Sequence, residues 1–319
     1  MKTFLTAIAL ALGIALLPIP ASAQYPAKAV HLIVPFPAGG PSDTAARTVG
    51  QALAKSIGQS IIVDNRPGAN GAIAAQAVLT APPDGYALLW ATASMVALPL
   101  FQKSRPFESF AEFTPVSMIG RFTFALFVHP NVPAKSVAEL ITYARGNPGK
   151  LSYATGSPGE FMSMAQLMKV GGFDMLRVPY KGGAQAMPDL IAGRVQVYIT
   201  PIGLGLPYAK DNRLRLLATL LSQRSAAAPE VPTIAEAGMA GVSVPTWQAI
   251  VAPPKTPPEI AERLHREIRL VLQDRDVRAQ FDRQAFQIEG STPVALAASI
   301  KDEFQAWSQF VRENDITPE

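Results

Sequence analysis

The chain has 319 residues, 49% of them apolar and 16% charged, with 29 Pro, 23 Gly and no Cys. That balance excludes a disordered chain, and the lack of Cys excludes a disulfide scaffold, a Cys-ligated zinc or iron–sulfur site and a thiol nucleophile. The net charge is +4 and no run of like charge exceeds two residues, which argues against a nucleic-acid partner.

Lys2 gives a positive start, Phe4 to Leu17 is an apolar run, and Ala21-Ser22-Ala23 supplies small residues of a cleavage site. The expectation is a secretory signal peptide over 1–23, cleaved after Ala23. The run is shorter than the ~20 residues a membrane span needs, and Pro18 and Pro20 break it. The remainder is expected to be soluble outside the cytoplasm.

Ala29–Val34 is β-branched and reads as a buried strand, followed by a Pro/Gly turn over Pro35–Pro41. Ala45, Ala46, Val49, Leu53 and Ile57 then recur at helical spacing, with Ser42 or Asp43 as a possible N-cap. Ser60–Asp64 reads as a second strand, Asn65–Gly71 as a turn, Ala72–Leu79 as a helix and Tyr86–Ala91 as a third strand. This alternation predicts a parallel α/β sheet with right-handed crossovers. Ser136/Glu139, Thr233/Glu236 and Thr256/Glu259 have capping-box spacing, Pro257 and Pro293 suit a first helical position, and Gly146 and Gly238 suit helix stops.

Further strands are predicted at Leu151–Ala154, Met175–Val178, Arg194–Thr200 and Leu214–Thr219, with helices near 158–170, 183–192 and 206–210. Three tail helices follow, near 257–273, 275–284 and 293–313. Two extended segments, Phe122–His129 and Gly241–Pro253, separate two βα groups. If both cross between lobes, the tail returns to the first lobe. The expected architecture is α/β, with lobe 1 at 24–125 and 247–319, lobe 2 at 126–246, a two-strand hinge and a cleft between them. Parallel strands present ligand loops at their C-terminal ends.

Four such loops are candidates. Phe36, Pro37, Ala38, Gly39, Gly40, Ser42 and Asp43 lead into a helix whose first amides suit a carboxylate. Asn70 lies in the second loop, Thr92 and Ser94 follow the third strand, and Thr155, Gly156 and Ser157 precede the helix near 158. Glu160 is read either as the capping partner of Ser157 or as a contact for a cationic or hydroxylated ligand group. Tyr180 and Trp247 are aromatic residues near predicted loops and could wall a pocket. No nucleophile elbow, phosphate loop, dinucleotide fingerprint or zinc helix motif occurs, so no catalytic residue, metal site or cofactor is assigned. His31, His129 and His265 are read as structural or solvated.

The chain resembles the tripartite tricarboxylate transporter substrate-binding proteins, the Bug (TctC-like) family of extracytoplasmic solute receptors. The resemblance is carried by HLIVPFPAGGPSDTAAR (31–47), VDNRPGANG (63–71), PPDGYALL (82–89), LSYATGSPG (151–159), VPYKGGAQAMPDLIAGRV (178–195), APEVPTIAEAG (228–238) and TPPEIAERL (256–264). It implies a two-lobed, type II-like periplasmic-binding fold that closes on a small organic carboxylate. It also implies a bacterial periplasmic location and delivery to a tripartite tricarboxylate-type membrane permease by a monomeric receptor. By position, the Phe36–Asp43 loop would hold a ligand carboxylate through backbone N–H groups and bridging waters. Thr92 and Ser94 would contribute from the first lobe, and Thr155, Gly156 and Ser157 from the second, with Tyr180 and Asp189 nearby.

Three departures from the family pattern stand out: Glu160-Phe161-Met162-Ser163 where small hydroxyl residues are usual, Gln196 for an acidic residue, and Leu204 for a hydroxyl. They suggest a ligand with an apolar or aromatic body. The competing expectations are a receptor that feeds a signalling partner and a secreted α/β enzyme.

Overall fold

The structure, a computed structural model, describes residues 25–101 and 107–313. The expected signal peptide and its cleavage after Ala23 lie outside the described residues. Strand β1 (Val30–Val34) leads into helix α1 (Pro41–Ile57), whose Ala45, Ala46, Val49 and Leu53 are buried at helical spacing. Then come β2 (Ile61–Asn65), α2 (Ala72–Leu79), β3 (Ala87–Thr92), a 3-10 turn over Ala93–Ala97 and the short α3 (Leu98–Phe101). Two strands follow almost without a break, β4 (Thr114–Phe122) and β5 (Phe124–Val128). The middle of the chain alternates α4 (Val137–Gly146), β6 (Ser152–Thr155), α5 (Pro158–Gly171), β7 (Leu176–Pro179), α6 (Gly183–Ile191), β8 (Val197–Pro201), α7 (Ile202–Lys210) and β9 (Arg215–Thr219). The last part contains β10 (Trp247–Ala252), α8 (Pro258–Val271), α9 (Arg275–Arg283), β11 (Phe286–Ile288) and α10 (Pro293–Glu313).

These strands form two sheets. One has the order β11-β4-β10-β3-β1-β2, the other β7-β6-β8-β5-β9. The expected parallel α/β pairing holds for part of each sheet. β1 pairs parallel with β2 and β3, and β6 with β7 and β8, but β10 runs antiparallel to β3 and β4, and β5 antiparallel to β8 and β9. β5 and β10 are the strands that follow the points where the chain changes sheet, and a strand arriving from the other sheet enters from the loop end; β11 is also antiparallel to β4. The resulting architecture is mixed α/β with two lobes.

The segment expected as one strand over Phe122–His129 is divided at the buried Thr123, where the chain leaves the six-stranded sheet. It returns at Thr246. The two crossings are tied together: the Thr246 hydroxyl donates to the Phe122 carbonyl at 2.6 Å, and the Phe122 N–H donates to the Thr246 carbonyl at 3.3 Å. Strand β11 was not expected; it lies against β4 only because Gly120 lets it approach, since a Cβ there would sit 2.0 Å from the Gln287 carbonyl oxygen.

Local signals fared unevenly at helix ends. α1 is capped by Gly40, not by Ser42 or Asp43. The Ser136 and Ser157 hydroxyls accept the N–H groups of Glu139 and Glu160. Thr233 and Glu236 form both bonds of a capping box, yet only a turn follows, because Gly238 takes a left-handed φ of 87° immediately after it. Thr256 caps nothing; its hydroxyl donates to the Pro253 carbonyl at 2.8 Å and α8 begins beyond it. α8 buries Ala261, Leu264, Ile268 and Val271 as one stripe against the six-stranded sheet, each larger side chain contributing about 1.5–3 kcal/mol.

Candidate functional site

The loops at the C-terminal ends of β1 and β3 face those of β6, β7 and β8 across a cavity of about 60 Å3. Its floor is the pair of crossings, through Phe122, Phe124 and Pro245–Gln248. The two sides meet at the rim, where a Cβ on Gly182 would stand 3.0 Å from the Pro37 ring. Farther along, Met162 of α5 packs with Ala97, Val244 and Trp307 in an apolar cluster that joins the two lobes.

Four helices begin at this cavity. Gly40 caps α1 without any side-chain hydrogen bond, and Pro41 and Ser42 line the wall. Gly182 caps α6 and Pro201 caps α7, again without a side-chain bond, and both are wall residues. α5 starts there too, with Ser157 as its cap. A helix start carries unpaired N–H groups and roughly half a positive charge. No Lys, Arg or His is among the described residues of the wall, so these backbone ends are its source of positive potential.

Side chains fix the first-lobe wall. Gln248 Oε1 accepts the Ser42 hydroxyl at 3.1 Å and the Trp90 indole N–H at 2.9 Å, which pins the start of α1 to β10. The Thr92 and Ser94 hydroxyls share a hydrogen bond of 3.1 Å. Asp43 is buried but points away from the wall. It accepts the Gly39 N–H at 2.9 Å, Arg47 Nε at 3.0 Å and Asn65 Nδ2 at 2.8 Å. Burial alone would raise its pKa; these bonds and the Arg47 charge outweigh it and hold the carboxyl below its ordinary value.

On the second-lobe side, Glu160 is 4% exposed and lines the cavity. It does not close a capping box on Ser157. Its Oε2 accepts the Gly156 N–H at 2.5 Å and its Oε1 accepts the Thr200 hydroxyl at 3.0 Å. Burial pushes its pKa up to about 7, against the pull of those bonds. The buried Tyr198 hydroxyl beside it is raised well above its ordinary value by burial and by the Glu160 charge. Gly156 is obligatory here: a Cβ would lie 2.6–2.8 Å from the Gly182 and Gly183 backbone.

Of the residues expected from the sequence, Phe36, Pro37, Gly40, Ser42, Thr92, Ser94, Gly156 and Ser157 line the cavity. Ala38 and Gly39 are exposed outside it. Thr155 lies behind the wall, where its hydroxyl accepts Arg177 Nε at 3.1 Å. Asn70 and Tyr180 share a separate outer recess of about 190 Å3, which touches the cavity through Phe36 and Gly156. Asp189 is in neither; it accepts the Tyr180 hydroxyl and Arg194, both at 2.7 Å.

Two of the three departures also fall away from the wall. Gln196 Oε1 accepts the Ser152 N–H and hydroxyl, and Leu204 packs in the second-lobe core behind Gly183. The apolar character of the wall comes instead from Phe36, Phe122, Phe124 and Trp247. Phe122, Phe124, Thr200 and Gln248 were not singled out from the sequence. The signal for Phe122, Phe124 and Gln248 was the crossing segments themselves, which must floor any cleft between two doubly connected lobes, and that for Thr200 was the C-terminal end of a strand.

Comparison with known proteins places this geometry. A family model described as "Tripartite tricarboxylate transporter family receptor" matches residues 45–316. Protein BugT of Bordetella pertussis is 35% identical over 326 residues, covering 98% of both chains. The solved structure of the periplasmic binding protein BugD superposes with a TM-score of 0.88 at 26% identity, covering 92% of this chain and all (100%) of that one. Rpa4515 of R. palustris, solved with adipate, gives a TM-score of 0.88 at 31% identity, covering 93% and 100% of the two chains.

Proposed function

The chain belongs to the tripartite tricarboxylate transporter receptor family, a family of solute-binding proteins, and on that premise we propose that it captures one small organic carboxylate with an apolar or aromatic body in the cavity between its lobes. The observation that carries this reading is the meeting of four helix starts at a wall that holds aromatic rings and no basic side chain. Backbone amides can hold a carboxylate without a counter-ion, and the rings exclude water from the rest of the ligand. The adipate in the Rpa4515 structure supports the same ligand class. Loops from both lobes contribute, so ligand contact would favour the closed arrangement over an open one by its differential contacts, with Thr123 and Thr246 as pivots.

The receptor acts in the periplasm after removal of residues 1–23, as a monomer that hands its ligand to a membrane permease of the tripartite type. In this reading it binds without turnover: the wall hydroxyls of Ser42, Thr92 and Ser94 are bonded to Gln248 or to each other rather than to a general base. Native mass spectrometry of the protein purified from periplasm is expected to show one co-purified small acid, unchanged on incubation. A thermal-shift screen should find stabilisation by about 2.7 kcal/mol at a hundredfold excess over Kd. Stabilisation confined to citrate-like polar tricarboxylates would refute the apolar body, and conversion of the bound acid would refute the non-enzymatic role.

A further inference from the structure

Glu160 is an acid in a wall built for an anion. It is buried, it lines the cavity, and no Lys, Arg or His side chain lies within ion-pair distance of it among the described residues. A buried carboxylate with no cationic partner is costly unless something compensates it. It accepts the Gly156 N–H and the Thr200 hydroxyl, and the Tyr198 hydroxyl and Ser157 N–H also help to stabilise its charged form, so every group that offsets its charge is a neutral donor and none is a cation. The same wall holds the aromatic side chains of Phe36, Phe122, Phe124 and Trp247, the residue types that make cation–π contacts. The starts of α1 and α6, which lack side-chain caps, supply the anion-binding end.

Resting on the carboxylate-receptor reading above, the geometry points to a zwitterionic ligand: a monocarboxylate that also carries an ammonium-type group, seated between Glu160 and the aromatic wall. Glu160 is then the specificity-determining residue. It accepts the ligand cation and repels a second ligand carboxylate, so the cavity prefers an amino acid-like or betaine-like solute over a dicarboxylate of the same length. The raised pKa of Glu160 is what a ligand cation would lower on binding, with release of a proton. The titratable group packed against Glu160 is Tyr198 on β8, which in turn feels Tyr180 ahead of α6. Arg177 on β7 is engaged by the Thr155 hydroxyl and the Phe161 ring. No titratable side chain of the first lobe lines the wall, but Glu303 stands near Trp247 and titrates in the same range.

The test is isothermal titration with matched sets of ω-amino acid, monocarboxylate and dicarboxylate of three to six carbons, at pH 6 and pH 8. At pH 8 the amino acid of the best-fitting set is expected to bind at least tenfold more tightly than its two partners. Its affinity should fall at pH 6, where Glu160 takes up a proton, while that of the monocarboxylate does not. The Glu303→Gln variant should retain this pH dependence. Glu160→Gln should reduce the preference, read as the ratio of amino acid to monocarboxylate affinity within that variant, to under threefold. A dicarboxylate or monocarboxylate that binds as tightly as the amino acid, or a preference that survives Glu160→Gln, overturns the role of Glu160 and leaves the carboxylate receptor standing. Failure of every set, plain carboxylates included, overturns both. Should Glu160→Gln not fold, the wild-type pH comparison decides alone: equal affinities at the two pH values refute the assignment.

Discussion

Replacing Gly156 by Ala adds one methyl group at the place where two walls of the cavity touch. The new Cβ would lie 2.6 Å from the Gly182 carbonyl carbon, 2.7 Å from the Gly183 nitrogen and 2.8 Å from the Gly182 Cα. All three are backbone atoms, so no side-chain rotation can relieve the overlap. Reaching ordinary contact requires the loop before α5 and the loop before α6 to part by roughly 0.6–0.8 Å, and overpacking of this kind costs about 1–3 kcal/mol. The movement also draws the Gly156 N–H away from Glu160 and opens the seam between the starts of α5 and α6. Gly146→Ala is the control, because Gly146 is exposed at the end of α4 and an added Cβ meets nothing within 4 Å. That change should be neutral or stabilise by up to about 1 kcal/mol. Urea unfolding followed by circular dichroism measures both, and isothermal titration with the best ligand of the thermal-shift screen measures affinity. The expected result is a folded Gly156→Ala protein that has lost about 1–3 kcal/mol and at least tenfold in affinity. Unchanged stability and affinity would refute the claim that these two loops are in backbone contact and jointly shape the wall.

Other perturbations separate the roles of individual groups. Burial raises Glu303 from 4.5 to about 7, against nearby indole N–H groups and the Arg121 charge. Its protonated form is thus favoured by folding, so this contribution to stability is full below pH 4.5 and is lost as pH rises through about 7. Glu303→Gln should flatten that loss, on the order of 2–3 kcal/mol, in urea titrations across the range; an unaltered pH profile would count against it. Asp43→Ala removes the acceptor of the Gly39 N–H, Arg47 and Asn65 and should destabilise by about 2–4 kcal/mol at pH 7, measured by denaturation. The lowered pKa of Asp43 means that its contribution is present above its unfolded value of 3.8 and fades as pH falls through the lower folded value. Gly39→Ala should cost about 1 kcal/mol or more, because φ is 80° there, yet leave ligand affinity within threefold, since Gly39 is outside the cavity. A tenfold loss of affinity would instead make Gly39 an anchor. Gln248→Ala strands the buried Trp90 indole N–H and should cost about 1–3 kcal/mol, read from thermal melts.

The parts of the site that could be read from the chain are the ones set by nearby residues. The glycine turn after β1, the Thr92/Ser94 pair and the Ser157 cap all follow from a strand end meeting a helix start within a few residues. Their position in the wall then follows from the rule that parallel strands carry ligand loops at their C-terminal ends. Asp43 and Asp189 show the limit of that reasoning. Each sits in a loop or helix that borders the cleft, but each turns its carboxylate to an internal partner, and only the packing of Arg47, Asn65, Tyr180 and Arg194 decides this.

By itself the sequence determined the alternation of strands and helices, the helix starts and the fact of two crossings between lobes, because periodicity, capping and turn chemistry act over a few residues at a time. It also carried the family, since the motif stretches lie in those same turns. The tertiary structure alone decided which loops meet. The Ser42–Gln248 bond joins residues 206 apart in the chain, and the Thr246–Phe122 bond joins residues 124 apart. It also decided that Glu160, a surface-type residue at a helix start, is buried in the wall. Burial is a sum over neighbours from β6, β8 and α6, and no local pattern encodes it.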